Sequence, residues 1–241
     1  MDTKELILHT ATNLFNQHGT AKISTNAIAD AAGISSGNLY YHYKDKSHII
    51  REIYEQMIKS WEKPYDRAEN RSMSIETFTR FIEENFELLW EYRFFYRETV
   101  ALLNADPALK ERQTEIIKQR FERQLNILQQ AEKDGIFHFP EPDVRLDEVL
   151  TIVWIVANNY LVHLESMGQV VEYRDFEKGT ELILKVLHPY IVHSPNPSVT
   201  ITFRQYCRLP MAGDQVAVVA VDMWATRSGA ERCPHIHQLS F

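Results

Sequence analysis

The chain carries 26 Lys and Arg against 33 Asp and Glu over 241 residues, a formal net charge of −7 with an isoelectric point near 5.8. That balance excludes a protein that coats nucleic acid through bulk positive charge, so any DNA contact must rest on local geometry. Eight scattered glycines form no Walker loop or dinucleotide pattern, and neither His-Glu-x-x-His nor a nucleophile elbow occurs, which argues against an enzyme and against a cofactor.

Asp2 followed by Glu5 reads as a capping box, and Ile7, Ala11, Leu14 and Phe15 recur at helical spacing until Gly19 stops the first helix. Ser24 or Thr25 can cap a second helix running from Asn26 to Ala32, whose small residues permit a close crossing. After a break at Gly33, Ser35 or Ser36 can cap a third, with Leu39 as its main apolar anchor. Asn38, Tyr40, Tyr41 and His42 are then free to face outward, and the pair reads as a helix-turn-helix sharing one small core with the first helix. Lys4, Lys22, Lys44 and Lys46 balance Asp2, Glu5, Asp30 and Asp45, so the acid excess lies downstream of this unit. Helix amino termini offer free N–H groups and a positive dipole end to phosphate, and three such ends lie close together in the sequence.

Ala32-Gly33-Ile34-Ser35, Gly37, Leu39-Tyr40, Tyr43 and Lys46 stand in an order that resembles the amino-terminal domain of the TetR family of bacterial transcriptional regulators. The resemblance runs from residue 3 to about 60 and is strongest between Ile28 and Lys46. Ser36 departs from the lysine often found there in the family, which removes one phosphate contact. The resemblance implies that Thr25 and Lys46 touch phosphates, that Tyr40, Tyr41 and His42 line the DNA face, and that Ser36, Gly37 and Asn38 approach base edges. Phosphate contacts set register and base edges set sequence preference. Taken singly, each of these residues reads as ordinary surface or core; the combination carries the assignment.

Beyond Lys46 the pattern remains helical. Ile49, Ile50, Ile53, Tyr54, Met57, Ile58 and Trp61 make one stripe on a helix that runs past Pro64 or bends there. An aromatic helix follows from Ile75 to Trp90, then a shorter one with Phe94, Phe95 and Tyr96. A long charged helix begins at Pro107 and stops at Gly135, and Phe137 to Pro142 reads as a loop. Residues 146 to 164 are apolar almost all round, and Asp147, Glu148, Asn158 and Asn159 are expected to keep them short of the roughly 20 apolar residues of a membrane span. A final helix carries Phe176, Ile183 and Leu187, with Gly179 allowing close approach, and ends at His188-Pro189. In the TetR family these last two helices meet their copies in a four-helix interface, which places Leu187 near its middle. Phe86, Trp90, Phe94, Phe121, Trp154 and Tyr160, with Asn158 and His163 as polar contacts, are the expected effector site; the alternative is that these rings are simply core.

After Ile191 the composition changes: lysine disappears, both cysteines occur, and Ser198–Phe203 and Val216–Val221 have strand composition. The tail reads as a β hairpin, a disordered extension, or an addition to the ancestral protein. Cys207, Cys233, His235 and His237 match no standard zinc spacing, so no metal site is expected. Two cysteines without a secretion signal suggest a reduced thiol pair in the cytoplasm.

The expected architecture is all-α: a helix-turn-helix DNA-binding domain over 1–46, a helical effector-binding and dimerisation domain over 47–191, and a tail over 192–241. The expected partners are a double-stranded DNA operator, a small-molecule effector and a second copy of the chain, with no membrane. The function so implied is a ligand-responsive regulator, a repressor released from its operator by a small apolar or aromatic effector. The competing reading is a helical small-molecule binding or interaction protein without operator binding.

Overall fold

The computed structural model describes residues 2–69, 73–140, 142–192, 206–210 and 216–220. Local capping decides where the first helices begin. Helix α1 (Thr3–His18) opens on the reciprocal box: the N–H of Glu5 donates to Asp2 Oδ1 at 2.8 Å and that of Asp2 to Glu5 Oε2 at 3.1 Å. It closes at Gly19, whose φ of +79° favours glycine. Of the alternatives for the next two caps, Ser24 takes the N–H of Ala27 to start α2 (Thr25–Ala31), and Ser35 takes that of Asn38 to start α3 (Ser36–His42). Gly33, at φ +68°, turns the chain between them. Ile7, Ala11, Phe15, Ile28 and Leu39 are fully buried and knit the three helices together. Each large apolar side chain so buried contributes about 1.5–3 kcal/mol.

Helix α4 (Lys46–Glu69) starts where Asp45 accepts the N–H of His48 at 2.7 Å, and Pro64 lies within the helix, which continues past it. Its stripe, Ile49, Ile53, Tyr54, Met57 and Trp61, is buried between the head and the larger core. The remaining helices are α5 (Ile75–Glu91), α6 (Arg93–Ala105), α7 (Pro107–Lys133), α8 (Leu146–Ser166) and α9 (Asp175–Leu187). Asp106 caps α7 just before Pro107, accepting from the N–H groups of Ala108 and Leu109, and Arg51 of α4 pairs with the same carboxylate. α4 packs on α5, α5 on α9, α8 on α9, and α6 on both α7 and α8. At Gly179 an added Cβ would lie 2.8 Å from the Phe86 ring, so glycine there sets how closely α9 approaches α5.

Among the described residues, α8 is the one helix long and apolar enough by length and composition to cross a membrane, despite the polar interruptions that were expected to prevent it. In this fold it packs on α6, α7 and α9, burying Val149, Leu150, Tyr160 and Leu161. Ile152, Ile155 and Val162 line its outer face, 49%, 59% and 39% exposed. Leu187 is not on that face: it is buried on the inner side of α9. The reason is phase, since Ile183, Leu184 and Leu187 turn inward together while Glu181 and Lys185 face out.

The segment from Met1 to Val192 is one compact unit and His193 to Phe241 another. In the second, strands β1 (Tyr206–Pro210) and β2 (Val216–Ala220) pair antiparallel, with Tyr206 opposite Ala220 and Pro210 opposite Val216. Val216–Ala220 falls where strand composition predicts it; Ser198–Phe203 lies outside the described residues, as do Cys233, His235 and His237.

Candidate functional site

The outer surface of α2 and α3 is polar because Leu39 alone anchors α3 in the core. Tyr41 is 84% exposed and Tyr40 48%, and Gly37 and Asn38 are exposed beside them. Thr25 Oγ1 and Tyr40 Oη share a hydrogen bond of 2.8 Å, and Ser36 donates to Asn26 Oδ1 at 3.1 Å, so two side-chain bridges fix α3 against the start of α2. His42 is partly buried, its ring edge-on to Tyr41 at 5.1 Å. Sequence reasoning did not single out Asn26, although its place one residue after Thr25 at the start of α2 marks the same surface. Lys46 differs from the others: its ammonium donates to the carbonyls of Thr20 at 2.7 Å and Ile23 at 3.0 Å. Those bonds brace the turn after α1 and leave one of three donors for solvent or phosphate.

Besides α4, bonds to the end of α5 and the first turns of α6 tie the head to the larger core. Asn16 of α1 donates to the carbonyl of Glu91 at 2.7 Å and accepts the N–H of Phe94 at 2.9 Å. Arg97 donates to the carbonyl of Asn16 at 2.8 Å and forks onto Glu165 of α8. Glu98 accepts from the N–H and the hydroxyl of Thr20.

A cavity of about 80 Å³ lies among α5, α6, α7, α8 and α9. Phe81, Phe86, Leu89, Leu128, Val153 and Ile183 give it apolar walls. Of the expected effector residues it brings together Phe86, Trp154 and Asn158. Trp90 packs instead on Tyr173 and Phe176 with Arg93 over its ring, and Phe94 stacks against Phe15 of the head. Phe121 meets Trp154 edge-on at a second, more open pocket of about 500 Å³ lined also by Thr114 and Ile117, Tyr160 supports Phe86 and Phe176 from outside the first cavity, and His163 is exposed.

The cavity's polar lining was missing from the expectation. Arg120, Gln124, Asn85 and Tyr96 join Asn158 there. Trp154 Nε1 donates to Gln124 Oε1, Gln124 Nε2 donates to Tyr65 Oη at 2.6 Å, and Arg120 lies over the Trp61 ring at 3.5 Å from its centroid. Burial pushes the Tyr96 hydroxyl upward in pKa, against the pull of Arg120. Burial also opposes the charge on Arg120, yet the Tyr65 and Tyr96 oxygens favour it, and its pKa is raised above the ordinary arginine value. At neutral pH the lining therefore holds a neutral phenol and a cation. The signal for these residues was phase: Ile116, Arg120, Gln124 and Ile127 follow one face of α7, so two polar residues stand in an inward stripe.

A family model described as bacterial regulatory proteins of the tetR family matches residues 7–53, and one described as TetR bacterial transcriptional repressor matches residues 54–195. A TetR-family transcriptional regulator from Marinobacter aquaeolei VT8 shares the fold at a TM-score of 0.73 and 32% identity, covering 81% of this chain and 93% of that one. The HTH-type transcriptional repressor KstR2 of Mycolicibacterium smegmatis is 27% identical over 179 residues, 69% of this chain and 85% of its own length. The HTH-type transcriptional regulator AcrR of Shigella flexneri is 44% identical over 54 residues, 22% of this chain; the chain thus spans 25% of that regulator's length.

Proposed function

The chain belongs to the TetR family of bacterial transcriptional regulators, and on that premise we propose that it binds an operator as a homodimer and is released by a small, largely apolar effector held in the cavity. The observation that carries this reading is the sequence Tyr96-Arg97-Glu98 on α6. Tyr96 lines the cavity, while Arg97 and Glu98 hold α1 and the turn after it. A shift of this one turn moves the cavity wall and the head together. Three residues in a row thus supply the shared element that coupling between two sites requires.

Thr25, Ser36, Gly37, Asn38, Tyr40, Tyr41 and His42 form the DNA face in this reading, and Lys46 both braces it and offers its remaining donor to phosphate. A twofold dimer places two such faces about 34–36 Å apart, one turn of DNA. Ile152, Ile155 and Val162 on the outer face of α8 supply the apolar patch for dimerisation. An effector that binds the released conformation more tightly lowers operator affinity by their differential affinity, and one that binds both equally shifts nothing.

The test is a fluorescence-anisotropy titration with the DNA beside the protein's own gene, run at several salt concentrations, with and without compounds that change the emission of Trp154. Operator binding that such compounds weaken supports the proposal. A dimer that takes the compounds but shows no preference for that DNA over random sequence is instead a binding protein without operator function.

A further inference from the structure

Arg51, Arg97, Arg112 and Arg123 each meet a carboxylate, on Asp106, Glu165, Glu55 and Glu62. Arg120 meets none among the described residues, although it lines the cavity and is partly buried. Its acceptors are neutral: Nε donates to Tyr65 Oη at 3.4 Å and Nη2 to Asn85 Oδ1 at 3.5 Å, both at the long limit of a hydrogen bond, and the Tyr96 hydroxyl is a further partner. Stacking over Trp61 holds the guanidinium plane in place, with the Tyr65 and Trp154 rings each 5.9 Å from Cζ. A cation drawn from water into such surroundings is costly unless an anion answers it. A fixed guanidinium fork matches a carboxylate in two parallel bonds, which are shorter and stronger than those to neutral acceptors.

Resting on the reading of this cavity as the effector site, we infer that the effector is an amphiphile with one carboxylate head, bound by the fork of Arg120, and an apolar body lying among Phe81, Phe86, Leu89 and Val153. Asn85 and Tyr96 stand beside that head as neutral hydrogen-bonding groups. Pairing draws the guanidinium away from its neutral acceptors, and because Tyr96 precedes the two α6 residues that hold the head, the contact lies at the start of the proposed coupling. A neutral ligand of the same shape leaves the cation unanswered.

The experiment uses the full-length protein and two probes of matched length, decanoate and decan-1-ol, with binding followed by calorimetry and tryptophan emission. The expected result is that decanoate binds at least tenfold more tightly than decan-1-ol. Arg120→Met should abolish that preference while keeping the affinity for decan-1-ol, and Arg120→Lys should retain part of it through charge without the fork. If Arg120→Met fails to fold by circular dichroism, Arg120→Gln and the wild-type preference itself carry the test. Equal binding of both probes to wild type overturns the carboxylate assignment and leaves the apolar cavity as an effector site. Failure of both probes to bind overturns the assignment together with the cavity's role for such amphiphiles; the operator titration still decides the regulatory reading independently.

Discussion

Glu98 of α6 accepts the backbone N–H of Thr20 at 3.0 Å and also the Thr20 hydroxyl, across 78 residues of sequence. The carbonyl of the same Thr20 accepts from Lys46 at 2.7 Å. A carboxylate on the larger core, a turn residue and an ammonium at the start of α4 thus form one chain of charge-assisted bonds across the junction between head and core.

Glu98→Ala should therefore unlock the junction without touching the cavity. A lost charge-assisted bond of this kind costs about 1.5–3 kcal/mol of stability. Ligand affinity, read by tryptophan emission, should stay near wild type, while the factor by which ligand weakens operator binding should shrink. An unchanged coupling factor would show that the signal takes another route.

Lys46→Met should lower the melting temperature, because the carbonyls of Thr20 and Ile23 lose their donor. Tyr41→Ala, at a side chain 84% exposed, should leave stability within about 0.5 kcal/mol of wild type and weaken DNA binding alone. Thermal unfolding paired with salt-dependent anisotropy separates the two. If Lys46→Met kept its melting temperature and lost about one unit of salt slope, phosphate binding would outweigh the bracing role.

The contrast shows what sequence alone carries. Capping residues and turn glycines act within four residues, so Asp2, Gly19 and Gly33 were legible without a fold, and the caps of α2 and α3 to within one residue. The partners of Lys46 come from the turn after α1, and no local pattern points to them. In the larger core, which ring faces the cavity depends on the neighbouring helix: Phe86 and Trp154 do, while Trp90 and Phe94 turn to Phe176 and Phe15. Arg120 and Gln124 are polar, so an apolar and aromatic pattern does not mark them as lining, although their phase with Ile116 and Ile127 puts them inside.

The outer face of α8 yields a clean comparison. Ile155→Glu places a charge on a side chain 59% exposed in the single chain, so it should leave the fold intact and shift the protein to monomer. Leu187→Glu puts the same charge at a position 1% exposed against the cavity and should unfold the domain instead. Sedimentation velocity and circular dichroism on both variants distinguish the outcomes. A folded, dimeric Ile155→Glu protein would move the interface off this face.

Gly179→Ala probes how closely α9 must approach α5. The added methyl would sit 2.8 and 2.9 Å from two atoms of the Phe86 ring and 3.0 Å from Tyr160 Cδ1, with no left-handed backbone to complicate the reading. In helix propensity alone the change favours folding by about 1 kcal/mol. Overpacking opposes it by about 1–3 kcal/mol, because the Phe86 ring is nearly fully buried and has Tyr160 and Phe176 around it. Steric cost should win, giving a net loss in urea unfolding, and the ring's available escape is into the cavity it lines. The variant should therefore also bind apolar ligands more weakly, and Gly179→Ala combined with Phe86→Leu should recover stability relative to the sum of the single changes. If Gly179→Ala were more stable than wild type with ligand affinity intact, the helices would have room to part, and Phe86 would not be the contact that sets the cavity's width.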